Sequence, residues 1–141
     1  MPSETSPERR ILTDCRTVAV VGMSPDADRP SHGVFCYLRD QGYRVIPVNP
    51  RVPRILGETC YPDLAAIPEK VDVVDIFRRA EDVPPVVDQA IEIGARAVWM
   101  QRGIVNETAA GRARKAGLDV VMDKCMKIEH LRMTESREQG R

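Results

Sequence analysis

The residues with chemical potential stand in short groups rather than in one motif. Gly22-Met23-Ser24 is followed by Arg29-Pro30-Ser31, and Pro47-Val48-Asn49-Pro50-Arg51 comes next. Phe77-Arg78-Arg79, Trp99-Met100-Gln101-Arg102-Gly103 and Asp123-Lys124-Cys125-Met126 complete the set. Arginine and serine beside a glycine turn suit an anion. A guanidinium offers charged, bidentate donors to phosphate, and a helix start offers free backbone N–H groups. Gly22 lets the chain turn with little hindrance, Ser31 opens a helix at the anion, and Arg29 adds a charge. Two prolines stiffen the segment around Asn49, whose amide both donates and accepts, as an adenine edge or an amide would require. Arg78 and Arg79 read as phosphate ligands, with Phe77 packing on a base. Gln101 and Gly103 are ligand-side candidates because Gln has little reason to end a buried strand. Cys125 stands beside Lys124 and Lys127, neighbours that lower a thiol pKa. The blander account is a capped helix, a rigid turn, solvated arginines and a small buried thiol.

No nucleophile–base–orienter set accompanies these groups. HExxH, GxSxG and GxxxxGK[ST] are absent, and His32 and His130 are single and far apart. The loop after Gly22 has Ser24 where a GxGxxG dinucleotide fingerprint needs glycine. The segment after Val48 has no acidic residue for a ribose hydroxyl. Binding is better supported than catalysis, so the chain is expected not to be an enzyme.

Each group directly follows a short apolar, β-branched run. The runs are Thr17–Val21, Arg44–Val48, Val71–Ile76, Ala97–Met100 and Asp119–Met122, with starts 27, 27, 26 and 22 residues apart. That spacing predicts βαβ units and a five-stranded, mainly parallel sheet, with helices on both faces because the runs are apolar rather than alternating. Helices are expected over Ser31–Gln41, Val83–Ile93 and Asn106–Ala116, each stopping at a glycine: Gly42, Gly94 and Gly117. The proline-rich stretch 50–70 reads as loop with one turn at Asp63–Ile67, and Lys127–Leu131 as a short terminal helix. In a doubly wound sheet ligands bind outside the carboxyl ends of the strands, where the chemical groups fall.

Composition narrows the classes further. The chain has 141 residues, about one domain. Residues 1–10 and 134–141 are polar and read as flexible ends around a domain over 11–133. Twenty-one basic residues balance 21 acidic ones, which excludes a protein that coats nucleic acid or an anionic membrane but leaves room for a local cationic pocket. No apolar run reaches the roughly 18 residues of a membrane span, and the start lacks a signal-type apolar region. Cys15, Cys36, Cys60 and Cys125 form no CxxC pair, so neither a metal site nor a disulfide framework is expected, and the chain reads as cytoplasmic.

Taken together, the segments resemble a known family. Val20-Val21-Gly22-Met23-Ser24, Arg29-Pro30-Ser31, Gly42 through Pro50, Asp72 through Arg79, Val98-Trp99-Met100-Gln101 and Val120 through Cys125 are similar to small stand-alone CoA-binding domain proteins, the YccU-like CoA-binding family. The resemblance covers roughly residues 10–133. It implies a Rossmann-like fold of the type also found as the CoA-binding domain of succinyl-CoA synthetase α subunits, and coenzyme A or an acyl-CoA as ligand. By position it implies that Gly22, Ser24, Arg29 and Ser31 hold phosphates, and that Pro47, Val48 and Asn49 line a wall. Phe77, Arg78 and Arg79 would flank the nucleotide or its phosphates, with Gln101 and Gly103 closing the far side. The synthetases use a phosphorylated histidine of a further domain, and neither histidine here stands in a matching motif, so ligase chemistry is not implied. A non-catalytic, regulatory module is expected, with a protein partner or a second copy of the chain left open. The alternatives are an NAD- or nucleotide-binding enzyme and a regulator linked to CoA through Cys125.

Overall fold

The computed structural model describes residues 6–139. Helix α1 (Pro7–Asp14) leads into strand β1 (Thr17–Val21), followed by α2 (Pro30–Asp40) and β2 (Arg44–Val48). A small hairpin, β3 (Arg54–Ile55) and β4 (Glu58–Thr59), and a 3₁₀ turn at Leu64–Ala66 precede β5 (Val73–Ile76). Then come a 3₁₀ turn at Ala80–Asp82, α3 (Val83–Glu92), β6 (Ala97–Met100), α4 (Glu107–Lys115), β7 (Asp119–Val121) and α5 (Met126–Gln139).

The five apolar runs form one sheet in the order β2-β1-β5-β6-β7, every pair parallel. This is the doubly wound α/β architecture predicted from the strand spacing. One face carries Val18, Val20, Val73 and Trp99 beneath Ile11 of α1, Phe35 and Leu38 of α2, and Met126 and Met133 of α5. The other carries Ala19, Val74, Ile76 and Val98 beneath Val83 and Val87 of α3 and Ala109 and Ala113 of α4. Burial on both faces is why the strands carry no polar alternation. From β1 the chain winds to β2 at one edge, then crosses back to β5 on the other side of β1. The switch point therefore lies between the carboxyl ends of β1 and β5.

The described residues begin and end with helices where the sequence reads as polar. Residues 1–10 were expected to be flexible, yet Pro7–Asp14 is helical; Ser6 caps it by accepting from the Arg9 N–H at 3.2 Å, and Pro7 occupies the first turn. Only Ile11 and Leu12 of this helix are buried, so its sequence reads as polar. The end at 134–141 was likewise expected to be flexible, but α5 runs on to Gln139, well past the short helix expected over Lys127–Leu131. Residues 1–5 and 140–141 lie outside the described residues. The proline-rich stretch forms the β3–β4 hairpin as well as the turn near Leu64; two-residue strands leave no periodic pattern to read. The strand of the third apolar run begins at Val73; just before it, Asp72 bonds through its backbone to Thr17, Arg96 and Ala97, and its carboxylate also accepts the N–H groups of Arg16 and Thr17. Among the described residues no helix is long and apolar enough to cross a membrane.

Candidate functional site

The carboxyl ends of the strands frame an open cleft in two compartments. Gly22 sits at the switch point with φ +87°, and a Cβ there would lie 2.4 Å from the Phe77 carbonyl oxygen. Only glycine lets the β1 end pass this close to the β5 end. The turn is laced to β2: the Val48 carbonyl accepts from the N–H groups of Gly22 and Met23 at 3.0 and 3.2 Å. Asn49 completes the lacing. Its Nδ2 donates to the Met23 carbonyl at 2.7 Å, and its Oδ1 accepts the Arg51 N–H at 2.8 Å.

The first compartment, about 470 Å³, is lined by Gly22, Met23, Ser24, Arg29, Pro30, Ser31, Asn49, Pro50, Arg51, Phe77 and Arg78. Three of these are arginines and none is a carboxylate. Among the described residues, Arg29, Arg51 and Arg78 are in no ion pair. Uncompensated guanidiniums around a concave surface concentrate positive potential there. Helix α2 opens onto the same space and adds the positive end of its dipole.

Ser31 plays a different part from the one its type suggests. The helix starts at Pro30, with Arg29 in the cap position and no side-chain cap. Ser31 is buried in the first turn, and its Oγ accepts the Ser24 N–H at 3.1 Å. The Ser24 Oγ accepts the Asp26 N–H at 3.1 Å. Both serines thus hold the loop in shape, and each keeps its hydroxyl hydrogen to donate.

The second compartment, about 730 Å³, shares Pro30, Phe77 and Arg78 with the first. It continues past Val34, Ala80, Ile104 and Ile128 to Gln101, Gly103 and Cys125, with Arg79 and Arg102 on its rim. Phe77 and Arg78 mark the junction of the two compartments, and the second adds an apolar wall of Val34, Ile104 and Ile128. Gln101 is 4% exposed, and its Oε1 accepts the Met126 N–H at 3.2 Å. Gly103 donates to Asp123 Oδ1 at 2.6 Å, which ties the β6 end to the β7 end.

The structure thus brings Gly22, Ser24, Arg29, Ser31, Asn49, Phe77, Arg78, Arg79, Gln101, Gly103 and Cys125 to one cleft. Pro47 and Val48 do not line it. Both are buried in β2, and Val48 acts through its carbonyl rather than as a wall. Arg79 is compromised as an anion ligand because its Nε lies 3.4 Å from Asp82 and 3.7 Å from Glu81. The lysines expected to flank the Cys125 thiol are engaged elsewhere: Lys124 pairs with Glu8, and Lys127 lies over the Tyr37 ring. Arg51 and Arg102 join the cleft although their types and spacing alone did not single them out. Each stands just after a strand-end group, and that position was the available signal.

Outside the cleft, Trp99 is core and its indole N–H donates to the Lys124 carbonyl at 2.8 Å. His130 is buried against Tyr37, whose Oη lies 2.6 Å from its Nδ1, and neither histidine lines the cleft. Burial pushes the Cys15 thiol up to about 11 and raises Cys60 as well. Asp75 stands in the middle of the sheet, in register with Val20 and Trp99, fully buried, its carboxylate oxygens without a hydrogen-bond partner among the described residues. Burial pushes its carboxyl well above the ordinary carboxylate range.

A family model described as a CoA binding domain matches residues 16–131. Protein YneT of Bacillus subtilis (strain 168) is 39% identical over 122 residues, spanning 86% of this chain and 90% of that protein. The structure of a hypothetical protein from Pyrococcus horikoshii OT3 superposes with a TM-score of 0.88 at 42% identity, over 90% of this chain and 89% of that one. The ADP-forming acetate–CoA ligase II of Archaeoglobus fulgidus is 33% identical over 110 residues, 76% of this chain but 16% of the enzyme.

Proposed function

The chain belongs to the CoA-binding domain family, and from that premise we propose that its cleft holds coenzyme A, free or acylated, as a binding module without turnover of its own. In this reading the nucleotide phosphates lie among Arg29, Arg51 and Arg78. The pantetheine arm passes Phe77 into the apolar compartment. The observation that carries the reading is the junction at Phe77 and Arg78: arginines without a lining carboxylate run along both compartments, and the second adds an apolar wall of Val34, Ile104 and Ile128. A ligand with a polyanionic head and a long arm of alternating alkyl and amide segments suits that arrangement.

The NAD alternative has less support. At the end of β2, where an acidic ribose reader belongs, stands Asn49, whose amide donates one N–H to the Met23 carbonyl and accepts the Arg51 N–H. The absence of turnover is proposed because the cleft's polar groups are donors that orient an anion, and none is a base hydrogen-bonded to a nucleophile. The ligase kinship extends over 16% of the Archaeoglobus enzyme, so its reaction is not carried over.

Calorimetry with CoA, dephospho-CoA and NAD tests the proposal. CoA is expected to bind more tightly than dephospho-CoA, which lacks one phosphate, and more tightly than NAD. Equal binding of all three, or none, sinks it.

A further inference from the structure

We propose that Cys125 accepts the acyl group of an acyl-CoA by thiol–thioester exchange, a reading that rests on coenzyme A occupying the cleft. Cys125 is half-buried and lines the apolar compartment, next to Val34, Phe77, Ile104 and Ile128. It directly precedes α5, and its carbonyl accepts the Glu129 N–H at 2.9 Å, which fixes its backbone at the helix start. The compartment therefore offers an acyl chain an apolar surface and a thiol on the same wall.

A second observation, independent of the thiol, points to a ligand carbonyl. Gln101 is only 4% exposed, yet only half of its amide is used. The Met126 N–H donates to Oε1, so the orientation of the amide is set, and Nε2 has no partner among the described residues. Nε2 is not sealed off by protein atoms, and Gln101 lines the compartment, so its NH2 group faces the cleft. Solvent reaches this donor in the open cleft, and a ligand carbonyl can take the place of that water. A donor aimed at a thioester oxygen also stabilises the charge that forms there when the carbonyl is attacked.

The step balances without a further reactant. The Cys125 sulfur attacks the thioester carbon, the bond from that carbon to the CoA sulfur breaks, and the Cys125 thiol proton ends on the departing CoA sulfur. One thioester replaces another, so no oxidant or reductant takes part. Holding thiol and thioester together is what the cleft contributes. The product is a stoichiometric S-acyl protein and free CoA. Cys15 and Cys60 are buried, and Cys36, half-buried on α2, lines neither compartment, so they serve as internal comparators.

The test is intact-mass and peptide-mapping analysis of the full chain incubated with butyryl-CoA under a phosphine reductant, with CoA calorimetry in parallel. The expected result is one hydroxylamine-labile butyryl group on Cys125. Adenosine 3′,5′-bisphosphate should slow its formation, and butyryl-N-acetylcysteamine, which lacks the nucleotide, should react at least about tenfold more slowly. Cys125→Ser should abolish it, Gln101→Ala should slow it, and Cys36→Ser should leave it intact. Acyl groups on Cys36 or on lysines instead, or equal rates for the two butyryl donors, overturn the proposal. Mapping on the unsubstituted chain locates the acyl group however Cys125→Ser folds. If CoA binds but Cys125 stays unmodified, only this inference fails; if CoA does not bind, the parent reading fails too.

Discussion

Arg78 and Arg79 are neighbours in sequence and opposites in circumstance. Arg78 lines both compartments with no ion pair among the described residues, while Arg79 is tethered to Asp82 and Glu81. A hydrogen bond to a charged group contributes about 1.5–3 kcal/mol, less where water competes. Arg78→Ala is therefore expected to raise the CoA Kd by roughly tenfold, about 1.4 kcal/mol. Arg79→Ala is expected to change it by no more than a few tenths of a kcal/mol, as exposed ion-paired arginines do. Isothermal calorimetry of the two variants checks the contrast, and equal losses would refute the placement. Asp75 makes a different prediction. Its folded carboxyl holds its proton well above the ordinary value of 3.8, so the folded state binds that proton more tightly than the unfolded chain does. The stability this contributes is full below the ordinary value and declines as pH rises through the folded one. Glu69, held low by its hydrogen bonds from Arg44, acts in the opposite direction, so the informative quantity is a difference. Asp75→Asn is expected to gain stability relative to the unsubstituted chain as pH climbs from about 4 toward neutrality. Urea unfolding across that range measures it, and parallel pH profiles would contradict it.

At the scale of elements, the site depends on three ties between strand ends. Gly22 brings β1 against β5, Val48 and Asn49 bind the β1 turn to β2, and Gly103 with Asp123 joins β6 to β7. Gly22→Ala forces a left-handed backbone on alanine and drives its Cβ into a carbonyl. The expected cost is at least about 2 kcal/mol, read as a lower denaturant midpoint. Asn49→Ala removes both the donor to Met23 and the acceptor of Arg51, an expected loss of roughly 1–3 kcal/mol together with weaker CoA binding. Unchanged stability in either variant would mean the lacing does not hold the turn. The strands themselves were legible because a strand buried on both faces must be apolar throughout. Helix stops at glycine were legible because the backbone turns there into a left-handed conformation. Helix α1 was not legible, since a helix burying only Ile11 and Leu12 looks like a polar tail. Nor was the β3–β4 hairpin, whose strands are too short to show a period.

For the whole molecule, zero net charge conceals an uneven distribution. Arg29, Arg51 and Arg78 converge on one cleft, while Arg10, Arg39, Arg44 and Arg112 are held by Asp119, Glu58, Glu69 and Asp88 elsewhere. CoA affinity is therefore expected to fall with ionic strength although the chain as a whole is neutral. Calorimetry over a salt series reads this, and a flat series would argue against a phosphate-dominated site. CoA at ~100 times its Kd should add about 2.7 kcal/mol of stability, raising the melting temperature by roughly 5–10 °C in a domain of this size. A thermal shift with CoA and none with pantetheine alone would assign the effect to the nucleotide end.

Much of this protein follows from order along the chain alone. The apolar runs and their spacing determine a parallel sheet with helices on both faces, and that architecture confines the useful side chains to the residues just after each strand. Gly22, Asn49, Phe77, Arg78 and Gln101 could be singled out on that basis, because which residue follows a strand is a one-dimensional property. What each one does could not. Arg79 is neutralised by acids close by, Ser31 is spent on the Ser24 backbone, Pro47 and Val48 sink into the sheet, and Lys124 is drawn to Glu8, 116 residues away in sequence. Charge compensation and hydrogen-bond commitment depend on distances of a few ångströms, within one turn for Arg79 and across the chain for Lys124, and the folded geometry sets those distances.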